Sequence, residues 1–245
     1  MSPDRTLIGV GVGPGDPELL TLKAARVLRA ADAVFAPSTS TDRASRAEQV
    51  VLAATGVQAR RLVFALDDQG GVTPERAAAW DAAAREVLAA FDAGAGTVAF
   101  ATLGDPHVYS TFGYLAQTVA GIDERVRVEG VPGITAMQDL AARAGVRLAE
   151  GREPLTLLPA TAGLDHIRTA LAGPGTVVVY KGGRHLDELA EAVEASGRAG
   201  AAVLGTDLGL PTEQVGALRA RSAGRAPYFS TLIAPPARGA RGEAL

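Results

Sequence analysis

The chain contains no cysteine, which excludes disulfides, thiolate metal sites and a cysteine nucleophile, and fits a cytoplasmic setting. Aromatic residues make up 4% of its 245 residues, so a core built mainly from Ala, Val, Leu and other small aliphatic side chains is expected. No window approaches the roughly 18 consecutive apolar residues that a membrane span needs. The start, MSPDRTLIGV, lacks the charged head and apolar run of a signal peptide, so a soluble protein is expected. No excess of positive charge is present either. The formal net charge is −3 and no run of five Lys or Arg occurs, which removes any global reason to bind nucleic acid or a membrane. An acidic ligand would need a local cluster of arginines. Hydrophobic residues at 47% and charged residues at 21% describe a folded globular chain, long enough for one large or two small domains.

Apolar β-rich runs alternate with helical patterns almost from end to end. Strands are expected at 6–12, 32–36, 61–66 and 97–101, with helices at 17–31 and 45–54 and a long helix opening at the cap Thr73 and Pro74. The second half repeats the rhythm less regularly, with strands near 125–129, 155–158, 175–180, 201–204 and 227–233 and helices near 134–144, 164–171 and 184–195. Such alternation predicts an α/β fold, with parallel or mixed sheets covered by helices. The turn Gly104-Asp105-Pro106 ends the first set of strands. A division follows into an N-terminal α/β domain over 1–112, a C-terminal α/β domain over 113–235 and an unstructured tail over 236–245.

Four strand-to-loop junctions carry chemical information. The stretch GVGVGPGDPELLTLKA has Gly11, Gly13 and Gly15 for tight turns and close ligand approach, then Asp16 as a helix cap and Pro17 at the first helical position. Its spacing is G-x-G-x-G-x-G and not G-x-G-x-x-G, and Pro14 stiffens the turn. Asp16 also places a carboxylate where a pyrophosphate would need free N–H groups, and Asp32 starts the second strand where a ribose-binding acid should end it. The loop therefore suits a ligand that is not a pyrophosphate; a plain tight turn is its bland alternative. Ala101-Thr102-Leu103-Gly104-Asp105-Pro106 follows a strand at the end where ligands gather in open α/β sheets, and Pro106 keeps Asp105 out of the helical region. Val131-Pro132-Gly133-Ile134-Thr135-Ala136 is a third junction, with Thr135 near a helix start, and Tyr180-Lys181-Gly182-Gly183-Arg184 is a fourth. Alone, each of these three could be an ordinary turn or cap.

Other chemistries find little support. His107, His166 and His185 are too scattered to suggest a metal site, and no G-x-S-x-G elbow is present. Trp80 shares a helical face with Ala84, Val87, Leu88 and Phe91 and reads as core, while Asp67 and Asp68 read as a solvated loop.

Taken together, GVGVGPGDPELLTLKA, LGDPHVYSTF and VPGITA, in that order and spacing, resemble the successive signatures of the tetrapyrrole (corrin/porphyrin) methylases. Within that family, the YSTF segment and the late APYFSTLIAP look most like the members that methylate C20 of precorrin-2 in cobalamin biosynthesis. The resemblance implies a homodimer of two-domain α/β subunits of the class III methyltransferase fold. S-adenosylmethionine would lie in a cleft between the domains, with a tetrapyrrole substrate beside it. Carried over by motif, the cofactor contacts are Pro14 from the first loop, Leu103, Gly104, Asp105 and Val108 from the second, and Thr135 and Ala136 from the third. Lys181, where relatives often carry an apolar residue, and Gly205 and Thr206 after a later strand complete the set.

The resemblance makes the methyl donor a sulfonium, which favours carbonyls and carboxylates over the N–H cradle a phosphate needs; Asp16 and Asp105 agree with that. Methyl transfer to an electron-rich ring carbon mainly needs two ligands held in line, and positioning of this kind can contribute roughly 7–11 kcal/mol. No catalytic base is singled out, and His107 and Tyr109 are candidates only by their nearness to the second motif. Arg43, Arg46 and Arg184 are candidates for pairing with substrate carboxylates, or else are solvated helix charges. Metal-free and cobalt-loaded substrates are not distinguished by the sequence, and another ring position within the family is a further alternative. A nicotinamide-dependent oxidoreductase, suggested by the glycine loop, and a non-catalytic tetrapyrrole carrier are the rival classes.

Overall fold

The computed structural model describes residues 5–40, 42–65, 71–221, 224 and 226–239. Its contacts divide the chain into two compact units, Met1–Thr135 and Ala136–Leu245.

The first unit is built on strands β1 (Arg5–Gly11), β2 (Ala33–Ser38), β3 (Arg60–Val63), β4 (Thr97–Thr102) and β5 (Val126–Val131), all parallel and ordered β3-β2-β4-β1-β5. Between them run α1 (Leu22–Ala30), α2 (Arg46–Thr55), α3 (Pro74–Asp92) and α4 (Phe112–Ile122). The two-residue period of the strands decides which helix covers which face. Ile8, Val10, Val34, Ala36, Ala99 and Ala101 pack with α1 and α2 through Ala24, Leu28, Val50 and Val51. Their alternates Leu7, Phe35, Val98 and Phe100 pack with α3 and α4 through Val87, Phe91, Phe112 and Leu115. Gly9 falls on the second face, where a Cβ would stand 2.4 Å from the Phe112 ring; the missing side chain lets α4 lie against β1. Trp80 packs on the same core and stacks on Tyr114 with ring centroids 4.6 Å apart, as its helical face predicts.

The second unit carries α5 (Ala136–Ala144), β6 (Leu155–Pro159), α6 (Leu164–Ala172), β7 (Thr176–Tyr180), α7 (Leu186–Ala195), β8 (Val203–Thr206), β9 (Gln214–Ala217) and β10 (Ser230–Ala234). Its sheet is mixed and ordered β6-β7-β10-β8-β9, with β6 and β7 parallel and β10 antiparallel to both of its neighbours. Val177, Val179 and Leu232 face α6 and α7, while Val178 and Ile233 face Leu140 and Ala141 of α5.

Four expectations shift. The domain boundary expected at 112/113 lies inside the first unit, because α4 covers its sheet and β5 pairs with β1 along six residues. The helix expected from Pro17 is split. Asp16 caps only a single 3₁₀ turn over Pro17–Leu19, and α1 starts afresh at Leu22, where Thr21 Oγ1 accepts the Ala24 N–H at 3.1 Å. The second strand, expected over 32–36, runs on through Pro37 to Ser38, beyond its pairing with β4, where a missing N–H leaves no gap in that ladder. Of the tail expected over 236–245, residues 240–245 lie outside the described residues. Arg238, however, is fixed, donating to Glu153 and to the Arg147 carbonyl. Asp67 and Asp68 also lie outside the described residues. No described helix is long and apolar enough to cross a membrane.

Candidate functional site

The carboxyl ends of β4, β1 and β5 lie side by side, so the first three sequence motifs emerge together at the end where open parallel sheets bind ligands. Backbone contacts clamp them. Gly13 and Gly104 form an isolated antiparallel bridge, Gly104 N–H donating to Gly13 O at 2.7 Å and Gly13 N–H to Gly104 O at 3.4 Å. Both glycines have positive φ, +81° and +70°, which side-chain-bearing residues rarely adopt. Gly11 and Gly133 meet beneath this bridge, where a Cβ on Gly133 would stand 2.2 Å from Gly104 O and 2.8 Å from the Gly11 Cα. Only glycine lets three backbones approach this closely.

Asp105 links the second loop to the third. Its Oδ2 accepts the Gly133 N–H at 3.0 Å and its Oδ1 accepts the His107 N–H at 2.8 Å. Asp16 is likewise engaged, accepting the Glu18 N–H at 2.9 Å. Of the proposed contacts on these loops, Pro14 and Thr135 are buried, while Leu103, Gly104, Asp105 and Val108 are partly exposed. All but Thr135 sit on the first two loops, and Thr135 closes the third.

Two candidate bases flank the second loop. The His107 ring packs against β5, where Gly130 leaves it room: a Cβ there would stand 2.5 Å from His107 Nε2. It meets Phe112 edge-on at 6.0 Å. Tyr109 is 46% exposed and holds φ at +49°, a strained value for a non-glycine residue that recurs at ligand sites. Partial burial pushes its phenol up from the usual range, so it keeps its proton at neutral pH. Thr102 and Ser110 hydroxyls bond at 3.0 Å, and Ser110 Oγ accepts the Phe112 N–H, which fixes the route from β4 into α4.

In the second unit, Tyr180 Oη accepts the Met137 N–H at 3.0 Å, bringing Ala136 and the start of α5 to the end of β7. Lys181 follows with φ +60°, donates its N–H to Ser230 O, and holds Nζ 5.8 Å from the Tyr228 ring centre. Thr206 pairs with Ser230 from the other side. The next residue, Asp207, has φ +51° and donates its N–H to Phe229 O. Lys181 and Thr206 therefore flank the first residue of β10. Gly205 has a packing reason of its own, since a Cβ would stand 2.7 Å from Leu140 Cδ1. Arg43 and Arg184 are exposed and Arg46 partly so.

The roles of Gly9, Gly130 and Gly133 were not read from the sequence. Glycine inside a β-rich run is the available signal, because it marks close approach by another group.

The donor groups have a common property. The N–H groups of Gly13, Gly104, Gly133, His107 and Glu18, which a pyrophosphate loop would leave for its ligand, are all spent on protein acceptors. Comparison with known proteins agrees with that chemistry. Residues 6–223 match the family of tetrapyrrole (corrin/porphyrin) methylases. The chain is 34% identical over 238 residues to a precorrin-2 C(20)-methyltransferase of a Sinorhizobium species, covering 94% of each chain. It is 32% identical over 231 residues to the cobalt-precorrin-2 C(20)-methyltransferase of Salmonella typhimurium, covering 93% of this chain and 94% of that one. Its fold matches the uroporphyrin-III C-methyltransferase of Thermus thermophilus complexed with S-adenosyl homocysteine, with a TM-score of 0.60, 25% identity and coverage of 94% and 96%. The chain thus belongs to the tetrapyrrole (corrin/porphyrin) methylases and is a methyltransferase of that family.

Proposed function

We propose that this protein transfers the methyl group of S-adenosylmethionine to C20 of precorrin-2 in cobalamin biosynthesis. The observation that carries the reading is the near full-length match to a relative named for that reaction, 34% identical over 94% of both chains. The site chemistry fits the donor. A sulfonium gains nothing from free N–H groups, and the first-unit loops offer none among the groups traced above. The same fact weighs against a nicotinamide dinucleotide, whose pyrophosphate needs such groups.

Pro14, Leu103, Gly104, Val108 and Thr135 are the proposed donor contacts of the first unit, with Asp105 at the same site. Ala136, Lys181, Gly205 and Thr206 carry the same assignment in the second. When bound, the donor supplies an electrophilic methyl group to a nucleophilic ring carbon. The chain's own work is to hold both ligands, and the glycine clamp and the Asp105 link supply rigidity suited to that task. Tyr109, protonated at neutral pH, suits a hydrogen-bond donor to substrate better than a base. A homodimer in the cytoplasm, acting on a tetrapyrrole, completes the proposal.

The test is turnover of purified protein with S-adenosylmethionine and precorrin-2, beside the cobalt-containing substrate, read by mass spectrometry. One added methyl on the metal-free substrate is expected. Absence of methylation on both substrates, or tight NAD(H) binding without S-adenosylmethionine binding, overturns the proposal.

A further inference from the structure

A carboxylate beside a sulfonium suggests direct charge pairing, and Asp105 invites that reading. We infer instead that Asp105 is a positioning residue, a latch that fixes the third loop on the second, and that its effect on donor binding passes through the Gly133 backbone. The ligand part of this inference rests on the proposed function; the latch itself does not.

The geometry is specific. Gly133 N–H meets Oδ2 at 3.0 Å and His107 N–H meets Oδ1 at 2.8 Å, so the two oxygens are turned toward two backbone donors. The donors differ in origin. His107 is two residues on in the same loop, whereas Gly133 is 28 residues away on the loop after β5. The carboxylate therefore adds a side-chain link between two segments whose backbones already touch at Gly104 and Gly133. An ionised acceptor with an N–H on each oxygen makes stronger, shorter bonds than a neutral one, and its charge is partly met by those donors before any ligand arrives. Pro106 disfavours the helical region for the Asp105 backbone, consistent with a side chain free to reach the third loop. Losing the latch frees Gly133, two residues before Thr135.

Asp105→Asn separates the two roles. An amide offers one acceptor oxygen, so it serves one of the two N–H groups and opposes the other with its NH₂. S-adenosylmethionine carries the sulfonium charge, while S-adenosylhomocysteine is its neutral thioether, so their affinities report charge pairing directly. The latch predicts that calorimetry finds both weakened by the same factor, about tenfold, with their ratio unchanged. It also predicts faster amide hydrogen exchange in the segment around Gly133 without ligand, in Asp105→Asn and more strongly in Asp105→Ala. Selective loss of S-adenosylmethionine binding, with S-adenosylhomocysteine unaffected, overturns the inference in favour of direct pairing. Unchanged exchange at Gly133 in Asp105→Ala overturns it as well. If wild-type protein binds neither compound, the proposed function fails, and the exchange measurement still decides the latch.

Discussion

Replacing Gly133 by alanine adds one methyl group where three backbones already touch. The new Cβ would stand 2.2 Å from Gly104 O and 2.8 Å from two Gly11 backbone atoms, against an ordinary contact of about 3.5 Å or more. The loops must part by roughly 1 Å, and every neighbour is main chain, so no side chain can swing away. Separation strains the Gly13–Gly104 bridge and the Gly133 bond to Asp105. Overpacking costs about 1–3 kcal/mol. Weakening a bond to a charged acceptor adds about 1.5–3 kcal/mol. Because the same movement causes both, the joint loss is about 3 kcal/mol, or about 10 °C in melting temperature for a unit of this size. Gly113 serves as the contrast. It lies inside α4 with nothing within 4 Å of a Cβ, so alanine there should stabilise by roughly 0.5–1 kcal/mol through helix propensity. Thermal unfolding of both variants, followed by circular dichroism, tests the pair. A Gly133→Ala protein melting within about 1 °C of wild type would refute the close-packed junction.

The other predictions concern stability. Ser45→Ala removes one half of a capping box, the Ser45 Oγ that accepts the Glu48 N–H, and leaves the other, the residue-45 N–H donated to Glu48; it should cost about 1 kcal/mol in urea unfolding. Asp123 is held down to about 2, first by the hydrogen bond from Arg125, with burial opposing and Arg5 assisting. A depressed carboxyl stabilises the fold above its unfolded value near 4 and loses that contribution as pH falls toward about 2. Asp123→Asn should therefore flatten the acid limb of the stability profile between those values; an acid limb identical to that of wild type would remove this account. Arg198 donates to the Gly173, Gly175 and Ala234 carbonyls, and burial depresses its pKa. Arg198→Met should cost about 2 kcal/mol by orphaning those carbonyls, measured by the urea midpoint.

What the sequence made legible follows from local chemistry. Among the described residues, the two-residue and helical periods marked nine of the ten strands and six of the seven helices, and the motifs marked the loops that converge. Helix α4 was missed as an element, because Thr111 makes no side-chain cap and Gly113 and Gly121 interrupt the helical signal. Strand β9 was missed because QVGA is short and largely exposed, with only Val215 partly covered. The central place of β10 depends on pairing between distant segments, which no local pattern records. Asp105 was legible as the acid of the second loop, but its engagement with Gly133 was not, since the bond spans 28 residues of chain.

The order β6-β7-β10-β8-β9 also bears on how the protein is made. All five strands of the first sheet are present once residue 131 has left the ribosome, so that unit can close while synthesis continues. The second sheet waits. Until residues 230–234 emerge, β7 and β8 lack the strand that joins them, and each exposes an unpaired edge of the kind that invites aggregation. The nascent chain is thus most vulnerable late, between two halves of a sheet whose keystone is translated last.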